Sequence, residues 1–265
     1  MAKLRDLDLS KALFVLPNLF TMSSIACGFF AILKASTTDP SQRDFLTACL
    51  AIVFAAIFDT MDGRVARLTR TQSDFGVQLD SLADLVSFGV APGILIYRWV
   101  LQDHGGVGFF VAFLFVAAGA ARLARFNVLA ARGQDAKSDF VGLSIPLGAL
   151  ALISLVGFFA RSGLDPAPLH RQISIYVVLV SCLMVSNLRM RSFKDFTVRG
   201  SALLGICVLA LIPASLAFFL REPYGVLLAL SWIYVGYNSI AAFWRRLRTE
   251  DPGLAPEAEE VSAEI

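Results

Sequence analysis

Eight apolar stretches dominate this chain and restrict its fold more than any other feature of the sequence. They cover approximately residues 13–33, 45–61, 78–100, 106–126, 141–160, 172–188, 201–220 and 224–244. A helix needs about 20 mainly apolar residues to span the hydrocarbon core of a bilayer. Inside a bilayer every backbone N–H and C=O group must be paired within the protein, which restricts spanning segments to helices and closed barrels. We therefore expect an all-α integral membrane protein with about eight transmembrane helices.

The composition excludes several other classes of protein. Hydrophobic residues make up 57% of the chain and the formal net charge is only +2, so nothing indicates nucleic-acid binding. The four cysteines lie inside apolar runs without C-x-x-C spacing, which argues against a zinc site or a disulfide framework. The first apolar run lacks a clear signal-peptide cleavage site, so we expect it to be retained as a span. The acidic end, residues 249–265, is expected to be a disordered tail.

The distribution of positive charge predicts how the chain is oriented. Eight spans place both termini on the same side of the membrane. Most of the 23 Lys and Arg residues lie on that side, at the termini and in the second–third, fourth–fifth and sixth–seventh connections. Only six fall on the other side: Lys34, Arg43, Arg98, Arg161, Arg171 and Arg221. Because basic residues concentrate in cytoplasmic loops, both termini are expected to be cytoplasmic.

Four aspartates interrupt the second and third apolar runs. The frame is Asp59-x-x-Asp62-Gly63-x-x-Ala66-Arg67, then eight residues, then Gly76-x-x-x-Asp80-x-x-x-Asp84. On helices, residues three or four apart project from one face, so each acid pair shares a face. Ionisable groups at membrane depth are costly and by default indicate function. Since the frame straddles the second–third connection, we expect the four acids to converge near the cytoplasmic face.

The residue types of this frame suit a cation bound to phosphate. Clustered carboxylates are hard oxygen ligands for Mg²⁺, Mn²⁺ or Ca²⁺, and such a cation relieves their mutual repulsion. Metals held this way commonly bridge to substrate phosphates, and a pair can clamp a displacement at phosphorus. Gly63 and Gly76 would let a bulky ligand approach the backbone, and Arg67 could pair with phosphate. One acid at the edge could instead accept a proton from an attacking hydroxyl. The alternative interpretation is a set of helix caps and surface ion pairs with Arg64, Arg67 and Arg70.

Polar residues in two other apolar runs each allow two interpretations. Arg122 and Arg125, followed by Asn127, end the fourth run. They are either a positive-inside anchor or a clamp for an acceptor carboxylate or a donor phosphate. Asn18 and Thr21 lie on one face of the first run. They could reach the acids, although a hydrogen bond to a neighbouring helix is the interpretation that we favour.

The acidic frame matches, at every fixed position, the signature of the CDP-alcohol phosphotransferase family, and the chain resembles that family most clearly over residues 13–160. These integral membrane enzymes move a phosphatidyl-type group from a CDP-linked donor to an alcohol and release CMP. Flanking runs resemble the bacterial and archaeal phosphatidylserine synthases within the family. They are Pro17–Thr21, Phe58–Arg67, Phe75–Pro92, Arg122–Asn127 and Phe140–Pro146, the last with Ser144 where a proline is usual.

The resemblance implies a role for each residue of the frame. Asp59, Asp62 and Asp80 correspond to metal ligands, and Asp84 corresponds to a catalytic base that also contacts a second metal. The cofactor would be one or two Mg²⁺ or Mn²⁺ ions. Six positions correspond to CDP-binding residues: Asp59, Asp62, Gly63, Ala66, Arg67 and Gly76.

The resemblance also implies the architecture and the reaction. We expect a single transmembrane catalytic domain over residues 1–248, with a six-helix core plus two spans, forming a homodimer in a bacterial-type inner membrane. The expected reaction transfers a phosphatidyl group from CDP-diacylglycerol to L-serine, giving phosphatidylserine and CMP. Another acceptor remains open at this point: glycerol 3-phosphate, inositol phosphate or choline. A more distant alternative is a cation transporter, although acids clustered at one face do not line a pore.

Overall fold

The computed structural model describes residues 9–69, 71, 73–131, 140–186, 189–190 and 224–225. Within this part, the helices are α1 (Leu9–Ala35), α2 (Gln42–Thr69), α3 (Asp74–Asp84), α4 (Ala91–Ile96), α5 (Gly105–Ala131), α6 (Ile145–Ser162) and α7 (His170–Val185). Two π-helical segments, Leu85–Val90 and Tyr97–Leu101, continue α3 and α4, and short 3₁₀ turns cover Gln102–His104 and Ala167–Leu169. Two short strands, β1 (Phe140–Val141) and β2 (Arg189–Met190), pair antiparallel.

Five helical segments of the described part are long and apolar enough to cross a membrane. The third of them, Asp74–Ala130, has 57 residues and contains two of the expected spans. As one straight helix it would be about 86 Å long, far more than a bilayer needs. The chain instead turns at Gly105, which has a φ of 55°, and α5 returns to pack against α4 and Leu85–Val90. Each of the first six expected apolar runs therefore corresponds to one helical segment of the described structure.

The prediction of a helical membrane protein is confirmed, but the number of eight spans is not. The seventh and eighth expected spans, 201–220 and 224–244, lie outside the described residues except for Tyr224 and Gly225. The tail at 249–265 and Cys207 lie outside them too. Tyr224 is buried, and a Cβ atom added to Gly157 of α6 would lie only 2.3 Å from its ring.

Among the described helices, α1 and α2 form the most extensive pair, and polar contacts hold their connection. Ser41 and Asp44 form a capping box at the start of α2: the Ser41 backbone N–H donates to Asp44 Oδ2 at 3.1 Å, and the Asp44 N–H donates to Ser41 Oγ at 3.3 Å. Lys34 Nζ lies 3.5 Å from Asp44 Oδ1. Arg98 donates to the carbonyls of Ala35 and Thr37, which satisfies acceptors at the carboxyl end of α1.

The centre of the bundle is α6, which contacts α2, α4, α5 and α7. Its buried side chains include Ile145, Leu152 and Val156, and they pack with Phe88 and Phe115 from neighbouring segments. Large apolar side chains on the outer faces remain exposed, as expected of surfaces that contact lipid: Phe29, Leu33, Phe109 and Phe113 are examples. Helix α2 contributes Phe45, Ala48 and Ile52 to this apolar centre, and Asp59 and Asp62 follow closer to its carboxyl end.

Two local features determine where the acids of α3 lie. Ser73 caps the helix by accepting a hydrogen bond from the Gly76 N–H at 3.1 Å, so the chain reverses within a few residues of the end of α2. After Asp84 the helix widens into the Leu85–Val90 π segment, where Ser87 Oγ donates to the Ser24 carbonyl at 3.0 Å. A Cβ atom added to Gly28 would lie 2.8 Å from Ser87 Cα. Helix α1 thus contacts the chain immediately beyond the last acid.

Candidate active site

Three of the four acids converge on one point. Carboxylate oxygens of Asp59, Asp62 and Asp80 lie within 4.8 Å of one another. The first two project from the last turns of α2 and the third projects from α3, which folds back beside α2 through the short connection at Ser73. Asp62 is buried, with 6% of its surface exposed, whereas the other two acids are half-buried.

Asp84 lies at the end of α3, close to Asp59 and Asp80 and to Arg122 of α5. Its Oδ1 atom is buried and has no hydrogen-bond partner among the described residues. Leaving a buried acceptor unpaired costs about 1–3 kcal/mol, and more when it is charged. An oxygen in this state is typical of a site that is completed by a ligand or an ion.

The acid cluster fits a hard divalent cation. Oxygen ligands bind Mg²⁺ at about 2.0–2.1 Å and Ca²⁺ at about 2.3–2.6 Å, so two ligands of one ion lie at most about 4–5 Å apart. The 4.8 Å limit on the three carboxylates falls within that range. All three donors are oxygen atoms, which favours Mg²⁺, Mn²⁺ or Ca²⁺ over softer metals. The cluster can therefore hold a divalent cation with small movements of the side chains.

A cavity of about 540 Å³ opens beside the cluster. This volume is typical of sites that bind small molecules and cofactors. Its lining includes Asp80 and five of the six positions expected to contact CDP: Asp62, Gly63, Ala66, Arg67 and Gly76. Asp59, the sixth, belongs to the acid cluster but does not line the cavity.

The two glycines of the frame differ in their surroundings. A Cβ atom added to Gly63 would meet no heavy atom within 4 Å, so the packing of the described residues does not require glycine there. A Cβ atom added to Gly76 would lie 3.3 Å from Ser73 Oγ and 3.8 Å from Asn18 Oδ1. At Gly76 the tight neighbour is therefore the capping hydroxyl of α3 itself, with Asn18 of α1 at an ordinary contact distance, whereas Gly63 leaves open space next to the cavity.

Arg122 and Arg125 have different environments although they are three residues apart. Arg122 is 9% exposed and lies beside Asp84, and its Nε has no hydrogen-bond partner among the described residues. Arg125 donates to the carbonyls of Val185 and Ser186 at 3.2 and 3.3 Å, at the carboxyl end of α7. Such contacts satisfy the last carbonyls of a helix. Of the two arginines, Arg122 is the one next to the acids.

Asn127, the third residue expected to contact the acceptor, connects two helices. Its Nδ2 donates to Ser81 Oγ at 2.9 Å, and Ser81 Oγ lies 3.2 Å from Asn127 Oδ1. Ser81 lies between Asp80 and Asp84 in sequence, so this contact holds α5 against the part of α3 that presents the acids. The three expected acceptor residues therefore do not form one continuous set of contacts.

The first helix contributes more to the site than the sequence predicts. Asn18 and Thr21 line the cavity, together with Thr71, Ser73 and Phe126. Thr21 Oγ1 donates to Asp62 Oδ2 at 2.8 Å, so the expected hydrogen bond between helices ends on one of the four acids. The sequence shows Asn18 and Thr21 as a polar pair on one face of the first helix, but it does not show which helix this face contacts.

This combination defines a class: an integral membrane protein in which a carboxylate cation site adjoins a cavity of ligand size. A model of one family, the CDP-alcohol phosphatidyltransferases, matches residues 14–185, which is more than half of the chain and includes all four acids. The chain belongs to the CDP-alcohol phosphatidyltransferase family.

Relatives from bacteria and archaea agree with this assignment. The chain is 38% identical over 228 residues to a CDP-diacylglycerol–serine O-phosphatidyltransferase of Helicobacter pylori, covering 86% of this chain and 91% of the relative. It is 35% identical over 212 residues to a protein of that name from Mycobacterium tuberculosis, covering 78% and 72%. It is also 36% identical over 177 residues to the archaetidylserine synthase of Methanothermobacter thermautotrophicus, covering 65% and 68%.

Proposed function

We propose that this protein transfers a phosphatidyl group from CDP-diacylglycerol to L-serine, giving phosphatidylserine and CMP. The observation that best supports this is the convergence of Asp59, Asp62 and Asp80 beside a cavity whose lining includes five of the six expected CDP positions. The choice of serine is supported by the names of the relatives, which are serine phosphatidyltransferases or an archaetidylserine synthase.

The cavity would hold the CDP part of the donor. Open space at Gly63 allows the diphosphate to approach the α2 backbone, where Ala66 is also small, and Gly76 removes a side chain from the α3 wall. Arg67, fixed at the wall by the hydrogen bond from its Nε to the Gly63 carbonyl at 2.9 Å, can offer its other N–H groups to a phosphate. These residues would place the β-phosphorus, the atom that bears diacylglycerol, near the acid cluster.

The acids would have two roles. Asp59, Asp62 and Asp80, with a contribution from Asp84, would hold one or two Mg²⁺ or Mn²⁺ ions, which neutralise the negative charge of the diphosphate and of the departing CMP. Asp84 would also accept the proton of the serine hydroxyl through Oδ1, the oxygen without a hydrogen-bond partner among the described residues. The serine oxygen then attacks the β-phosphorus, the bond from that phosphorus to the CMP oxygen breaks, and CMP leaves.

Arg122 would select an acceptor that carries a carboxylate. It is buried beside Asp84, and a guanidinium can bind a carboxylate through two parallel hydrogen bonds. A serine bound this way would keep its hydroxyl close to the proposed base. Arg125 and Asn127 would contribute less directly, because their described contacts hold α5 against α7 and α3. Choline has no carboxylate for this contact.

We further propose that the site faces the cytoplasm, where water-soluble serine and CMP can meet a donor anchored in the bilayer. The excess of basic residues on the side of the α2–α3 connection supports this orientation in a bacterial-type inner membrane. A homodimer is proposed from family resemblance alone.

The test is CMP release by the purified protein from CDP-diacylglycerol in mixed micelles containing Mn²⁺ or Mg²⁺. The acceptors would be serine, glycerol 3-phosphate, inositol phosphate and choline, each added separately. We expect CMP release to depend on serine, to stop when EDTA is added and to return when Mn²⁺ or Mg²⁺ is restored. Faster release with another alcohol would contradict the choice of acceptor. Unchanged release in EDTA would contradict the proposed cation.

A further inference from the structure

We propose that Thr21 of α1 is a positioning residue for the cation site: its hydroxyl fixes the orientation of the Asp62 carboxylate, so that the acids of α2 and α3 are arranged before a cation binds. This inference rests on the proposed function, because it assigns a task to a residue next to the proposed metal ligands. It adds a fifth side chain, from a third helix, to the site.

The hydrogen-bond geometry supports a directed contact. Thr21 Oγ1 lies 2.8 Å from Asp62 Oδ2 and 3.2 Å from the Pro17 carbonyl of its own helix. The hydroxyl has one proton, and a carboxylate is the stronger acceptor, as the shorter distance also indicates. Thr21 and Asp62 are 4% and 6% exposed, so water competes little for this bond.

The contact also limits the positions that Oδ1, the other carboxylate oxygen of Asp62, can take. Once Oδ2 accepts from Thr21, the carboxylate can no longer rotate freely, and its plane is set relative to Asp59 and Asp80. Groups that hydrogen-bond to metal ligands orient them, and their loss typically weakens metal affinity by about 10- to 100-fold. The cost of ordering Asp62 is then met during folding, when α1 packs against α2, and not when the cation binds.

A competing role for Thr21 is direct contact with the donor, because the residue also lines the cavity. The two roles predict different measurements. A positioning residue affects cation affinity even when no nucleotide is present. A residue that only contacts the donor affects the affinity for CDP-diacylglycerol and leaves cation binding unchanged.

The experiment compares Thr21→Val, which removes the hydroxyl at nearly constant volume, with Thr21→Ser, which keeps it. Thr47→Val is the matched control: it makes the same change in α2, where the Thr47 hydroxyl donates to the Arg43 carbonyl at 2.7 Å. Thr47 lies about 18 Å along the helix axis from Asp59. Mn²⁺ binding to the detergent-solubilised full-length protein is measured without CDP-diacylglycerol, from the paramagnetic resonance signal of free Mn²⁺.

We expect Thr21→Val to weaken Mn²⁺ affinity by about 10- to 100-fold. Thr21→Ser keeps the hydroxyl that donates to Asp62, and Thr47→Val leaves Thr21 unchanged. Both variants should therefore bind Mn²⁺ within about twofold of the wild type. In turnover assays with serine, the Mn²⁺ concentration for half-maximal rate should rise in Thr21→Val, while kcat at saturating Mn²⁺ recovers. Thr21→Ala, a smaller side chain, should reproduce the loss and guards against a Val variant that fails to fold.

Mn²⁺ binding by Thr21→Val and Thr21→Ala equal to that of the wild type would overturn the inference, as would an equal loss in Thr21→Ser. A rise in the KM for CDP-diacylglycerol alone would assign Thr21 to donor contact instead. If the wild type itself binds no Mn²⁺, the proposed cation site fails together with this inference. If the wild type and the Thr21 variants bind Mn²⁺ equally well, the proposed function is unaffected and only the role of Thr21 is contradicted.

Discussion

Asp84 differs from the other three acids at the level of the single residue. Asp59, Asp62 and Asp80 converge on one point, and Asp84 contacts Asp59 at its edge. Asp84 alone among the four has a buried oxygen, Oδ1, without a hydrogen-bond partner among the described residues, and it has Arg122 as a neighbour. A carboxylate that accepts a proton from a substrate needs a free oxygen directed at that substrate, whereas a carboxylate that binds a cation needs other ligand atoms close to it. These environments support the proposal that Asp84 is the base, on geometric grounds that residue spacing alone could not supply.

Asp84→Asn should lower kcat for CMP release by at least about 100-fold, because an amide cannot accept the proton of the serine hydroxyl. The measurement is turnover with serine at saturating Mn²⁺, alongside gel filtration to verify folding. Asp74→Asn, in the exposed first turn of α3, is the matched control and should retain near wild-type turnover. Near-normal turnover of a folded Asp84→Asn protein would eliminate the base assignment.

Arg122→Ala should raise the KM for serine by about 10- to 100-fold, which corresponds to losing charge-assisted hydrogen bonds of about 1.5–3 kcal/mol. The KM for CDP-diacylglycerol should change much less. Arg125→Ala is the comparison: since Arg125 contacts the end of α7, it should mainly lower the melting temperature. Equal increases in the serine KM for both variants would mean that both arginines bind the acceptor.

Gly63→Ala should weaken donor binding without destabilising the protein. An added methyl group would meet open space beside the cavity, and alanine favours a helix over glycine by about 1 kcal/mol. We therefore expect an increased KM for CDP-diacylglycerol with an unchanged or higher melting temperature. Gly106→Ala is the control, since its Cβ also meets no atom of the described residues within 4 Å but lies in α5, away from the cavity lining. An unchanged KM in Gly63→Ala would show that the donor does not press on this position.

The sequence predicts the residues of the site better than it predicts their partners. Asp59, Asp62, Asp80 and Asp84 are spaced by helical geometry, so their shared faces follow from counting. The contacts of Arg125 and Asn127 depend instead on where α7 ends and on which turn of α3 meets α5. These are tertiary facts, and no local pattern in the chain specifies them.

At the scale of the element, the most informative piece is the π segment Leu85–Val90. The sequence predicts one uniform span over 78–100, and the structure divides it into α3, a π turn, α4 and a second π turn. A π-helical turn has hydrogen bonds between residues five apart instead of four, and such turns are common near functional sites. The segment is also where the chain packs most closely on α1: Ser87 lies against Gly28, which allows the two backbones to approach closely.

Gly28→Ala should destabilise this crossing. The added Cβ would lie 2.8 Å from Ser87 Cα, a backbone atom that cannot rotate away, so one of the two helices must shift. Overpacking of this kind costs about 1–3 kcal/mol. We expect a lower melting temperature and reduced turnover, because the shift occurs three residues after Asp84. The same substitution at Gly106 should have little effect, and a fully stable, fully active Gly28→Ala protein would contradict the importance of the crossing.

At the scale of the whole molecule, hydropathy predicts the helical segments but not how they pack against one another. Apolar residues cover both the lipid-facing and the buried sides of a transmembrane helix, so periodicity cannot indicate which side is inside. Nothing in the sequence of α6 distinguishes it as the central helix, although the structure buries most of its side chains. Sidedness depends on yet another signal, the distribution of Lys and Arg, because the apolar length of a span is the same whichever way it crosses the membrane.

The orientation is testable through the connections. A phosphatase that is active only outside the cytoplasm should be inactive when fused after Ile265 and active when inserted at Leu164. Leu164 is exposed in the turn that follows α6, in the connection expected to be extracytoplasmic. A fluorescent protein that folds only in the cytoplasm should give the reverse result and controls for expression. Phosphatase activity at the C-terminus would place the acids on the opposite face, away from cytoplasmic serine, and would contradict both the topology and the supply of substrate on which the proposed reaction depends.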